Sequence, residues 1–318
     1  MKNKSGVYET IAFARKLLTV YGARLCAFVG MIVLPSMCLS TIGTHAQDSF
    51  TGRWIIEREH GTNLLRLSLT DATDKSIHKS GSSGESMARF KIAIERLQGL
   101  TIAQTISAGS NAQFQFVRDA GTFNCEGWFQ GGKGSGHYVF ASSTAFVAEL
   151  KRREYETPTE AQLFSMAIND VSLAFIEELN AQGYERPTLD QLVGLGEHGV
   201  SLLYLSELKA QGYSVKSLER LTRMVDHGVS LKFIEEMDAL GYKNLPVETL
   251  IRTVDHGVTP RYIKELEALG HSNLPVEQLT RLVDHGVNTQ FLQKAKSRGL
   301  SDLTIDELIK LADRGFRD

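Results

Sequence analysis

The sequence predicts an α+β protein: a small antiparallel β barrel, roll or sandwich, then an α-solenoid of five 29-residue two-helix repeats with half-repeats at each end. Three observations carry this. Residues 48–142 hold six short segments that alternate apolar and polar residues, separated by Gly, Ser, Asn and Asp. Leucines then recur every 29 residues, at Leu163, Leu192, Leu221, Leu250, Leu279 and Leu308. Two glycine series keep the same step without insertion, Gly199 to Gly315 and Gly183 to Gly299.

Residues 1–46 read as a targeting segment. Lys2, Lys4, Arg15, Lys16 and Arg24 precede "LCAFVGMIVLPSMCLSTIGT" (25–44), which carries no charge, and small residues follow. That is the order of a secretory signal with cleavage after Ala46, and the run is also long enough for a single retained membrane anchor. Both readings export residues 47–318 to the periplasm or the extracellular space, and membrane contact is expected only through this segment if it stays uncleaved. Cys26 and Cys38 lie inside it, so Cys125 is the one cysteine of the remaining chain and cannot form an internal disulfide. Hydrophobic content of 42% with 23% charged residues describes a chain that folds by packing. A net charge of −2 supplies no basic field, so nucleic acid is not an expected partner.

Residues 47–142 form the β domain. "GRWIIER", "TNLLRLSLT", "ARFKIAIE", "AQFQFVR", "GTFNCEGWFQ" and "GSGHYVF" are its strands, and "DKSIHKSGSSGES" (74–86) is a polar loop. "QGGKGSG" (130–136) looks at first like a phosphate loop. It lacks the required spacing and lies between two strands, so it reads as a hairpin turn. Trp54, Trp128 and Phe140 are expected in the core. Cys125 and His137 stand as a conceivable nucleophile and base across that hairpin, against the simpler reading of a packed thiol.

Residues 143–318 form the helical region. In "SLERLTRMVDHGV" (217–229), Leu218, Leu221, Met224 and Val225 make one apolar stripe, Ser217 is an N-cap, and Gly228 suits the left-handed residue that ends a helix. Ser230 and its equivalents Ser172, Ser201, Thr259 and Asn288 are N-caps of the second helix in each unit. Shifting by 29 places an opening half-unit at about 144–153, and "TIDELIKLADRGFRD" closes the array.

"DHGV" recurs unchanged, with Asp226-His227-Gly228, Asp255-His256-Gly257 and Asp284-His285-Gly286. One histidine per layer, with helices about 8–10 Å apart, gives too few ligands for zinc, so these are structural repeat positions and no metal is expected. Arg223, Arg252 and Arg281 follow Glu219, Glu248 and Glu277 at i,i+4 and are expected to pair within their helices, with Asp226 beside Arg223. No catalytic motif or cofactor fingerprint is present, so neither catalytic residues nor a cofactor is assigned.

"GTFNCEGWFQGGKGSGHYVF", "AFVAEL" and the "HGV…YI-x-EL-x-ALGY-x-NL" units resemble uncharacterised bacterial exported proteins with a β domain and helical repeats. They are also similar to extracytoplasmic segments associated with antibiotic-sensing membrane zinc-peptidase receptors. The resemblance spans about 110–318. It implies an exported sensing or binding module, and the absent zinc-protease motif means that peptidase activity does not carry over.

The expected function is therefore non-enzymatic, an envelope protein that binds a protein or peptide partner through the helical-repeat face. The residues singled out are Glu235, Glu236, Lys264 and Glu265, which change in charge from unit to unit, and the stripe Arg223, Arg252 and Arg281. The alternative is a small-ligand or cell-wall glycan site on the β domain, with the repeats as a spacer.

Overall fold

The computed structural model describes residues 50–71, 87–300 and 303–315. The expected targeting segment 1–46 and the expected polar loop 74–86 lie outside the described residues.

The β domain is one antiparallel seven-stranded sheet. Its strands are β1 (Thr51–Arg58), β2 (Leu64–Asp71), β3 (Met87–Ala93), β4 (Leu97–Gln98), β5 (Ser110–Arg118), β6 (Gly121–Gln130) and β7 (Lys133–Ser142). They lie in the order β3-β2-β1-β7-β6-β5-β4. The sheet curls into a half-barrel: Trp54 on β1 meets Phe114 on β5 edge-on at 5.0 Å, and Phe90 on β3 meets Phe116 on β5 at 5.5 Å. The expected barrel, roll or sandwich is met only in its antiparallel character, because the sheet stays open as a curled half-barrel.

Glycine permits the curl where Trp54 enters. Gly127 and Gly136 face each other on β6 and β7. A Cβ on Gly127 would lie 2.6 Å from the Trp54 ring, and one on Gly136 would lie 2.0 Å from the Glu126 carbonyl oxygen. The indole fills that space and donates from Nε1 to this same carbonyl at 3.0 Å. A short helix α1 (Ile102–Ile106) lies between β4 and β5, opened by a capping box of Thr101 and Gln104.

Twelve further helices follow among the described residues. The first-type helices are α3 (Glu160–Ile168), α5 (Leu189–Glu197), α7 (Leu218–Asp226), α9 (Val247–Asp255), α11 (Val276–Asp284) and α13 (Ile305–Asp313). The second-type helices are α2 (Thr144–Arg152), α4 (Leu173–Ala181), α6 (Leu202–Ala210), α8 (Leu231–Ala239), α10 (Pro260–Glu267) and α12 (Thr289–Ser297). Helices of one type pack on others of that type, as α7 on α9 and α10 on α12.

The caps explain why the helices start and stop where they do. Ser143, Ser172, Ser201, Ser230, Thr259 and Asn288 each accept a backbone N–H three residues on. Thr159, Thr188, Ser217 and Thr304 do the same for first-type helices, while Pro246 and Pro275 open α9 and α11 without a side-chain cap. At the far end of α7, Gly228 has φ 74° and donates to the Val225 carbonyl at 2.9 Å. Val229 donates to the Met224 carbonyl at 2.8 Å, which completes a Schellman motif.

Sheet and helices share one apolar core that runs from Trp54 to Ile251. Phe164 of α3 plugs the end of the half-barrel. It stacks on Phe50 at 4.6 Å and meets Phe140 and Phe123 edge-on at 5.3 and 5.9 Å.

Candidate functional site

The charged surface of the first-type helices differs from the expected one. Arg223 does not pair with Glu219 or Asp226. It reaches across to the next helix and grips Glu248 with both Nη atoms, at 3.1 and 3.0 Å. Arg252 donates to Glu277 at 3.2 Å and Arg281 to Asp306 at 3.3 Å. The long guanidinium side chain spans stacked helices, and its fork fits a facing carboxylate better than a neighbour on its own helix.

The "DHGV" residues follow the same logic. His198 Nδ1 stands 2.7 Å from Asp226, His227 2.7 Å from Asp255, His256 2.6 Å from Asp284 and His285 3.0 Å from Asp313. Each dipeptide gives its acid to the unit before and its imidazole to the unit after. The glycines behind these histidines, Gly228, Gly257 and Gly286, have φ of 74°, 74° and 79°. No group of three or more metal-ligating side chains occurs among the described residues.

Along this surface, between α7 and α9, runs an open groove of about 340 Å³ lined by Arg223, Glu248, Thr249, Ile251, Arg252 and Asp255. The other singled-out residues lie on second-type helices. Glu235 and Lys264 are exposed, and Glu236 pairs with Lys232 at 3.6 Å. Glu265 accepts from Arg261 at 3.2 Å and from Gln293 at 3.0 Å. The two sets therefore lie on different helix layers and do not converge on one site.

On the β domain, strand parity separates Cys125 from His137. Cys125 pairs in register with Tyr138 and faces the core at 4% exposure, whereas His137 pairs with Glu126 on the exposed face. Burial pushes the Cys125 thiol up to about 12. A neutral thiol inside the sheet is no nucleophile. Gly131 and Gly132, with φ of 57° and 87°, form the tight turn between β6 and β7.

Trp54 and Phe140 are buried as expected, but Trp128 is not. It is 49% exposed. The parity of β6 gives the reason: Phe123, Cys125 and Phe129 point inward, and Trp128 shares the outward phase of Asn124 and Glu126. That outer face holds a second groove, of about 560 Å³, over β5, β6 and β7. Reading the alternation strictly would have placed Trp128 there from sequence alone.

No protein family, curated protein or solved structure matches the chain, and nothing in those comparisons ties it to the zinc-peptidase receptors.

Proposed function

We propose that this is an exported, non-enzymatic binding protein whose residues 143–318 form an α-solenoid of five 29-residue units with a half-unit at each end. In this reading the helical face takes an extended protein or peptide partner. The α7–α9 groove carries the proposal, because it is lined by paired guanidinium and carboxylate groups whose register recurs 29 residues on, at Arg252, Glu277 and Arg281. A partner with acidic side chains exchanges its carboxylates for Glu248 and Glu277 and gains forks that are already oriented. Stacked units present such contacts at a constant spacing, which suits an extended chain. Export rests on the composition of residues 1–46. Among the described residues no helix is long and apolar enough to cross a membrane.

Panning a random linear peptide display library against the chain tests this. Acidic peptides are expected, and their binding should fall at least tenfold in the Arg223→Gln/Arg252→Gln double variant while the helical circular dichroism is kept. Glu235→Lys/Glu236→Lys, on the other helix layer, should bind as before. Failure to enrich any peptide, or peptides that bind the double variant equally well, would remove the groove as a binding face.

A further inference from the structure

We propose that the outer face of the half-barrel binds an uncharged oligosaccharide chain, stacked on Trp128 and hydrogen-bonded by the side-chain amides of the groove one and two rows further along the strands. The face is ordered by strand register. Trp128 lies between Ser135 and Asn111, Glu126 between His137 and Gln113, and Asn124 between Val139 and Gln115. Neighbouring strands lie about 4.8 Å apart and these rows about 7 Å apart, so polar groups recur on the scale of single sugar rings.

The aromatic group is placed, not merely left outside. The Trp128 indole covers Gly109, where a Cβ would stand 2.5 Å from ring atom Cζ2. Glycine thus leaves the room that the ring occupies beside the loop. An indole half in water amid polar neighbours is a group with unused contact area, and indoles supply much surface at little entropic cost.

The polar groups match hydroxyls. Gln98, Gln113, Gln115 and Asn124 line the groove, and each amide offers both donor and acceptor, as a sugar hydroxyl does. Two of them are already oriented by each other, since Gln115 Nε2 donates to Asn124 Oδ1 at 2.7 Å. Charge complementarity selects a neutral ligand. Arg53 and Glu126 flank His137 on this face and contribute one formal charge of each sign. A peptide adding as a strand is disfavoured here, because the backbone groups of β6 are taken up by β5 and β7 on its two sides.

The two tryptophans make the test direct. Trp54 is fully buried, so acrylamide quenching of the chain's fluorescence reports Trp128. Chitohexaose and cellohexaose are the probes. Either should protect Trp128 saturably, with an affinity that is insensitive to salt. Trp128→Ala and Gln113→Ala, followed by calorimetry, should each weaken binding about tenfold. Gly109→Ala should weaken it as well, although the indole is still present. Absence of saturable protection by both hexasaccharides overturns the proposal. So does binding that survives Trp128→Ala and Gly109→Ala, or protection given only by heparin or by a linear peptide. Arg223→Gln/Arg252→Gln leaves saccharide binding unchanged, so this site and the helical groove fail or stand separately.

Discussion

Three residues beyond each second-type N-cap the units carry Phe175, Tyr204, Phe233, Tyr262 and Phe291, a core ring with or without a hydroxyl. The Tyr204 hydroxyl donates to the Val229 carbonyl at 2.8 Å. The Tyr262 hydroxyl is buried and has no hydrogen-bond partner among the described residues. The same substitution should therefore act in opposite directions. Tyr204→Phe is expected to cost about 1 kcal/mol, and Tyr262→Phe to add about 1 kcal/mol, read from urea midpoints at constant slope. Cys125 gives a second expectation. Its thiol is pushed up to about 12 by burial, above the ordinary 9.0 it regains on unfolding. Between those values the unfolded chain holds fewer protons than the folded one. This contribution to stability is thus complete below pH 9 and is lost as pH rises towards 12. Cys125→Ala should remove that part of the alkaline decline. At neutral pH, iodoacetamide should label Cys125 only at the rate of unfolding.

Among the elements, the joint between β5 and the α3–α4 turn combines several devices. Asp170 ends α3 where the repeat places glycine in later units, and it holds φ 55°. An acid replaces glycine there because its carboxylate meets Arg118 Nη1 at 2.6 Å. Burial lowers the Arg118 pKa from its ordinary value, and Asp170 offsets part of that effect. The guanidinium also lies 4.4 Å from the Phe116 ring centroid, and the neighbouring Asp119 accepts the Leu173 N–H at the start of α4, at 2.9 Å. Arg118→Ala should lower stability by about 2 kcal/mol and Arg118→Lys by less, since lysine keeps the charge without the planar stack. Thermal melts of both variants check the order. Much of this level was legible beforehand. Alternation marked the six long strands, and cap-to-glycine spacing marked the twelve helices of 143–318. The two-residue β4 carried no pattern to read, and α1 was not expected, although Thr101-x-x-Gln104 has capping-box spacing. What spacing did not supply was partner choice. The curl needs Gly127 opposite Gly136, and the ion pairs join residues 25 or 28 apart, so both depend on which strand or helix lies alongside. Trp128 was legible too, had its parity been weighed above its ring.

For the whole molecule, apolar contacts fall into two bodies. One runs from Trp54 through Ile251, and the other from Met237 through Ile309, with Phe233 and Leu245 packed against both. The first binds the sheet to the early helices, and the second holds α10 to α13 without help from the sheet. Native-state hydrogen exchange should therefore show two protection classes, with the amides of α10–α13 opening before those of β5–β7 and α3–α5. A single class would mean that the core behaves as one body. The link between successive units is surface chemistry as well, and it has a direction. Excision of residues 228–256, one whole period, would bring His227 into the relation with Asp284 that it now has with Asp255. Each coupling is built like a railway coupling, hook ahead and ring behind. Four successive joints, from His198 to Asp313, use the same hook and ring at the same 28-residue interval, so the coupling is one part repeated and not four parts fitted singly.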